Sequence, residues 1–283
     1  PISEAYGPGA APVATPVIDI DGFAKVLDSN ASVTVETVGS PWIGETTTKT
    51  VDYAQVKVLL SNGTEAVYNV PVYYKNVGET NETAYILDNT GAEKVLYSDS
   101  VNTTSNDSID LNDAYADDAV YAYKLEGDTI TLYNLAATYA SKDVWFETEG
   151  TTFATATYAG GNIAKGATSI TVNSSEVYAL TANVGFVGTV TVNEKESYVT
   201  FAGTANIPGS DIAVNDVILK TVDGGDDPDV TTVEFIFGGD VTAASATEVD
   251  EYVYIDTTKY TSDGTKFVYD AYLADGSSIK LSA

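Results

Sequence analysis

An all-β fold is what this sequence predicts: two antiparallel β-sandwich or barrel-like modules behind a proline-rich extended arm. Three observations carry that expectation. Runs such as "SVTVETV" (32–38), "VDYAQVKVLL" (51–60) and "EAVYNVPVYYK" (65–75) alternate with period two and are rich in Val, Tyr and Thr. Turns of Gly, Asn and Asp separate about seventeen such runs, as sandwiches and barrels require. Helical periodicity is almost absent.

In chain order, residues 1–17, "PISEAYGPGAAPVATPV", hold four of the eight prolines and no alternation. Proline removes backbone donors and favours extended backbone, so this segment reads as an arm or linker. In "IDIDGFAKVLDSNAS", Asp21 is placed to cap a short helix through Leu27. Strands follow. Asn62-Gly63 in "SNGT" suits a type I′ hairpin turn, because both residues accept positive φ. Similar strand-and-turn grammar recurs at "YILDNTGAEKVLY", "VYAYKLEGDTITLY" and "YTSDGTKFVYDAYLADGSSIKL". The acidic stretch 98–118 predicts a boundary between an N-terminal β module, 18–105, and a C-terminal one, 116–283. The polar stretch 238–251 reads as a long loop.

Composition narrows function. The chain has 283 residues, of which 44% are hydrophobic, enough for sizeable cores. Cys, His and Met are absent, and all thirteen basic residues are Lys. Without Cys there is no disulfide, thiolate nucleophile or thiolate metal site. Without His the usual general base at neutral pH is missing, and without Arg the best phosphate clamp. No enzyme activity is expected. A net charge of −28 opposes binding to nucleic acid or anionic lipid. No apolar run approaches the ~18 residues of a membrane span. No basic-then-apolar leader opens the chain, so a mature, secreted product is expected. The few oxidisable residues suit an exposed extracellular protein.

At "AVYAYKLEGDTITLYNLAA" and "EYVYIDTTKYTSDGTKFVYDAYLADGSSIKL" the chain resembles the β-rich body of clostridia-like surface proteins that carry S-layer homology (SLH) anchoring domains. Those bodies repeat a "VYxYxxxGxxYTL" strand pair, a "TVFVV"-like strand and a closing "YxxYxAxxxGxxxxI" hairpin. The corresponding stretches here are 120–132, 176–180 and 268–279. The helical anchoring module is not written in this sequence. The resemblance implies structural work at the cell surface, with no catalytic residues carried over.

Four aspartates, Asp223, Asp226, Asp227 and Asp229, crowd the loop "VDGGDDPDV". Clustered carboxylates on a turn can supply several of calcium's six to eight oxygens, making calcium the one cofactor the sequence suggests. The spacing fits no EF-hand, and good strands on both sides make a solvated hairpin loop the simpler reading. Asp107, Asp110, Asp113, Asp117 and Asp118 form a looser cluster. In "VWFETEG", alternation would put Glu147 and Glu149 on one strand face beside Trp145, the layout a glycosidase needs. A strand with its aromatic face in the core and its charges in water is the simpler reading. No G-x-S-x-G or S-x-x-K motif occurs, Ser141 and Lys142 being merely adjacent. "AGGNIAKGATS" (159–169) lacks the order of a phosphate loop. Asn30, Asn62, Asn81, Asn102, Asn106 and Asn173 lie in Asn-x-Ser/Thr sequons.

The expected function is therefore an extracellular structural subunit. It would form a homo-polymeric surface layer or filament through strand edges and the arm. The alternative is a carbohydrate-binding or adhesive module, taking cell-wall or surface glycans on Trp145 with Tyr139, or on Trp42.

Overall fold

A computed structural model of the chain describes residues 15–29, 34–38, 48–76, 83–98, 111–136, 138–140, 142–192, 195–242, 254–262, 267–272 and 278–282. It divides into two compact units, Pro1–Ala243 and Ala244–Ala283. Strands make up most of it, and the only helices among the described residues are two single 3₁₀ turns, Leu111–Asp113 and Thr204–Asn206. The chain is all-β.

The strands run as follows. β1 is Val17–Ile18, β2 Gly22–Asp28, β3 Thr34–Val38, β4 Thr48–Tyr53, β5 Gln55–Leu60 and β6 Glu65–Asn69. β7 is Tyr73–Lys75, β8 Thr83–Leu87, β9 Glu93–Ser98, β10 Val120–Glu126 and β11 Thr129–Tyr133. Three two-residue strands follow, β12 Thr138–Tyr139, β13 Lys142–Asp143 and β14 Trp145–Phe146. β15 is Thr151–Ala156, β16 Asn162–Ala164, β17 Ser169–Val172, β18 Glu176–Ala179, β19 Gly185–Val192 and β20 Lys195–Ala202. The long pair is β21 Asp211–Val222 and β22 Val230–Thr242. β23 Tyr254–Ser262, β24 Phe267–Tyr272 and β25 Ser278–Ser282 complete the chain.

β2, β5, β6, β11 and β10 close a barrel in that order, a Greek key whose neighbours are antiparallel except β6 and β11. Alternation fills the interior with Ala24, Val26, Val56, Val58, Leu60, Tyr121, Tyr123, Ile130 and Leu132. β6 and β11 meet only at Asn69 and Thr129. The sheet β7-β8-β9, inserted between the third and fourth barrel strands, adds Ala84, Ile86 and Leu96 to the same core.

β2 corrects the sequence reading: Gly22–Asp28 is a strand, not a helix behind Asp21. Its two faces are both buried, Ala24 and Val26 in the barrel and Phe23 outside it. Burial on both faces erases the period-two signal and leaves an apolar spacing that mimics a helix. The runs 51–60 and 65–75 each split into two strands, at Ala54 and at Val70–Pro71. The breaks face each other, Val70 N–H donating to Ala54 O at 2.7 Å. Pro71 has no N–H with which to continue the ladder. At Ser61–Thr64 only Gly63 has positive φ, +84°. Gly63 N–H donates to Leu60 O and Leu60 N–H to Thr64 O, both at 2.9 Å, so the loop is a three-residue turn with a left-handed glycine rather than type I′.

A second layer is the sheet β15-β21-β22-β19-β20, with β16 also on β21. One face, with Phe186, Ile212, Val217, Leu219 and Ile236, packs under Ile170 and Val172 of the β17–β18 hairpin. The other presents Phe153, Val187, Ile218 and Phe237 to the barrel's outer residues Phe23, Leu59, Val120 and Ala122. Phe23 and Phe153 meet edge to face at 5.0 Å, and Phe146 lies 5.8 Å from Phe153. Ile212 fits because Gly188 and Gly238 carry no side chain. A Cβ there would sit 2.6 and 2.5 Å from its Cδ1.

The boundary expected between 105 and 116 falls inside one compact unit. β10 and β11, beyond that stretch, close the barrel begun by β2, β5 and β6, so the two halves of the sequence share one core. The division lies instead after Ala243, in the stretch read as a loop, whose first residues 238–242 are the end of β22. The second unit is the antiparallel meander β23-β24-β25. Residues 1–14 of the arm lie outside the described residues. Val17 and Ile18 pair in parallel with Trp145 and Phe146 of the same chain.

Candidate functional site

The four-aspartate loop is the tip of the β21–β22 hairpin. Asp223 accepts the Gly225 N–H at 2.7 Å, and Asp229 accepts the Gly224 N–H at 3.3 Å. Gly225, at φ +63°, lets the chain reverse. Two carboxylates thus serve backbone donors of their own turn. Among the described residues, no three acidic side chains, these four included, converge as metal ligands. In the looser cluster, Asp117 accepts from both N–H and Oγ of Ser29 at 2.7 Å, while Asp107 and Asp110 lie outside the described residues.

Glu147 and Glu149 do not share a strand face, because the strand holding Trp145 is two residues long. The backbone turns at Glu147, φ +60°, whose carboxylate accepts from Lys220 Nζ at 2.7 Å. Ser141 and Trp42 lie outside the described residues. Within 159–169, β16 is a strand on β21, and Lys165 N–H donates to Ser210 O at 2.8 Å. Of the six sequons, only Asn62 and Asn173 fall on described residues. Asn62 is exposed at a hairpin turn, and Asn173, at φ +49°, accepts from Thr157 N–H at 3.1 Å.

The structure does form a concave site, a groove of about 420 Å³ between the β10–β11 hairpin and the inserted sheet. Its floor is the outward row of the hairpin: Lys124, Glu126, Thr129, Thr131 and Tyr133. Period two puts these opposite the barrel-filling Tyr123, Ile130 and Leu132. Pro71, Tyr73, Leu87, Tyr115 and Tyr139 complete the lining. The loop 88–92 holds these pieces together. Buried Asp88 accepts from Thr90 N–H at 2.9 Å, Thr90 Oγ1 at 2.7 Å and Ala92 N–H at 3.0 Å. That loop accepts the N–H of Asn134 on Asn89 O at 2.8 Å and of Ala140 on Thr90 O at 2.7 Å, which fixes Tyr133 and Tyr139.

Tyr133 and Tyr139 meet edge to face at 5.1 Å, and Tyr73 stacks on Tyr85 at 5.6 Å. The Tyr115 hydroxyl donates to Leu87 O. Burial pushes the Tyr139 phenol up to about 12 and raises that of Tyr133. Lys124 Nζ donates to Asp19 at 2.6 Å and Asp21 at 3.0 Å, and those bonds raise its pKa. Of these groove residues the sequence pointed only to Tyr139. Tyr73 in "VYYK" and Tyr133 in "TITLY" lie in runs legible as strands, but the fold alone brings those strands to one groove.

A second surface feature is a set of strand edges. β7 and β9 bound the inserted sheet, and β18 pairs only with β17 among the described strands. They carry exposed apolar side chains: Tyr73 and Tyr74 on β7, Val95 on β9 (58% exposed) and Val177 on β18 (67%).

Comparison with known proteins brings no relative to bear: no protein-family model, characterised protein or solved structure matches the chain.

Proposed function

We propose that the chain is an extracellular structural subunit, one of many copies that build a surface layer or filament by pairing strand edges. The observation that carries this reading is the outward Val95 and Val177 on edge strands. An open ladder recruits another strand unless lysine, proline or a covering element blunts it. β18 carries neither lysine nor proline, and the lysines of β7 and β9, Lys75 and Lys94, are paired with Glu93 and Asp88. Tyr74 on β7 adds exposed aromatic area of the kind interfaces use. The absence of Cys, His and Arg agrees with a structural role. In this reading the arm, residues 1–17, is a second contact; its last residue, Val17, pairs with Trp145 on β14 of its own chain.

A charge of −28 per copy opposes stacking, so cations that screen or bridge carboxylates strengthen assembly. The test is negative-stain electron microscopy of the purified chain, with calcium and then with chelator. Ordered filaments or sheets that are lost in Val95→Lys with Val177→Lys are expected. Monodisperse particles in both conditions would reject the reading. Filaments that persist without residues 1–14 would remove the arm from it.

A further inference from the structure

We propose that the groove between the β10–β11 hairpin and the inserted sheet binds a neutral oligosaccharide, a function separate from assembly and present in a single copy. Its volume, about 420 Å³, lies within the roughly 300–1,000 Å³ of small-ligand sites.

The lining selects the chemistry. Tyr73, Tyr133, Tyr139, Thr129 and Thr131 each bring a hydroxyl, and the tyrosines add ring faces. A pyranose offers the same two kinds of surface, C–H patches on its faces and hydroxyls around its rim. Tyr73 is 42% exposed, and its stacking on Tyr85 holds it as a flat platform before any ligand arrives. Tyr133 and Tyr139 form a fixed corner. Their raised phenols stay protonated at neutral pH and can donate to sugar oxygens.

Charge excludes the acidic ligands. Lys124 is the cation of the lining, and its ammonium is committed to Asp19 and Asp21. Glu126 stands on the same floor of a strongly acidic chain. Phosphate, sulfate and uronate groups therefore meet a repulsive field. A peptide would find little for apolar side chains, since Pro71 and Leu87 are the aliphatic lining.

The test is calorimetric titration of the full chain with cellohexaose, maltohexaose and the chitin hexamer. A galacturonate hexamer and the peptide PISEAYGPGAAPVATP are the competing ligands. One neutral hexamer should saturate with a Kd at or below about 1 mM. Tyr73→Ala and the isosteric Thr131→Val should each weaken it about tenfold or more, with the melting temperature of Thr131→Val unchanged. Three results would overturn the proposal: no neutral hexamer binding up to about 10 mM, binding untouched by both substitutions, or preference for the galacturonate or the peptide. Particles that stay monodisperse yet bind the sugar would sink the assembly reading and leave this one standing.

Discussion

Lys25 on β2 donates to Asp216 on β21 at 2.9 Å, a bond between the barrel and the large sheet. The two side chains are 13% and 27% exposed, so water weakens the pair only in part. Lys25→Met leaves Asp216 half-buried without its cation, and Asp216→Asn does the reverse. Each should cost about 1–2 kcal/mol, between an exposed ion pair and a buried one. A double-mutant cycle by urea denaturation should return a coupling of about 0.5–1 kcal/mol, and additive effects would show that the pair contributes nothing.

Phe153 lies where Phe23 and Phe146 converge. Phe153→Ala opens a void between barrel and sheet and should lower stability by about 3–5 kcal/mol. Because the core is common to both layers, fluorescence and circular dichroism should follow one transition for Pro1–Ala243 in both proteins. Separate transitions would mean that the layers fold independently.

Asp21 has a lowered pKa, chiefly because its carboxylate accepts the Leu125 N–H and then because it meets Lys124. A depressed carboxylate stabilises the fold above its unfolded value, 3.8, and that contribution vanishes as pH falls through the lower folded value. Asp21→Asn should therefore destabilise at pH 7, by less than about 1 kcal/mol for so exposed a group. Denaturation curves of variant and parent should converge well below pH 3.8. A gap that persists there would point to lost packing instead.

Calcium should act between copies rather than within one. Asp223 and Asp229 hold their own turn, and the loop's carboxylates do not converge. In dilute protein the melting temperature should be the same in millimolar calcium and in chelator, while light scattering of concentrated protein responds to calcium. A rise of several degrees in dilute protein that Asp226→Asn with Asp227→Asn abolishes would reinstate a calcium site.

How far the sequence could be read depended on whether a signal was local. The β10–β11 hairpin was legible because alternation, Gly127 at φ +67° and a two-residue turn all lie within fourteen letters. β2 was not, since a strand buried on both faces writes no alternation. Nor was the barrel order, because the partners of Gly22–Lys25 are Val120–Tyr123, with a whole sheet inserted between. The site divided in the same way. Tyr139 was legible as an aromatic named beside Trp145, but the loop 88–92 holds Tyr133 against it and the inserted sheet brings Tyr73 to the same groove.

The inserted sheet also fixes a timetable. β2 cannot complete its ladder until Tyr123 exists, nor can the barrel close until Tyr133 does. At about 5–20 residues per second of synthesis, the first strand waits several seconds for its partner. Contacts this distant in sequence fold slowly. An emerging chain therefore carries an unclosed barrel throughout that interval, with the core-facing side of β2 waiting for Tyr121 and Tyr123.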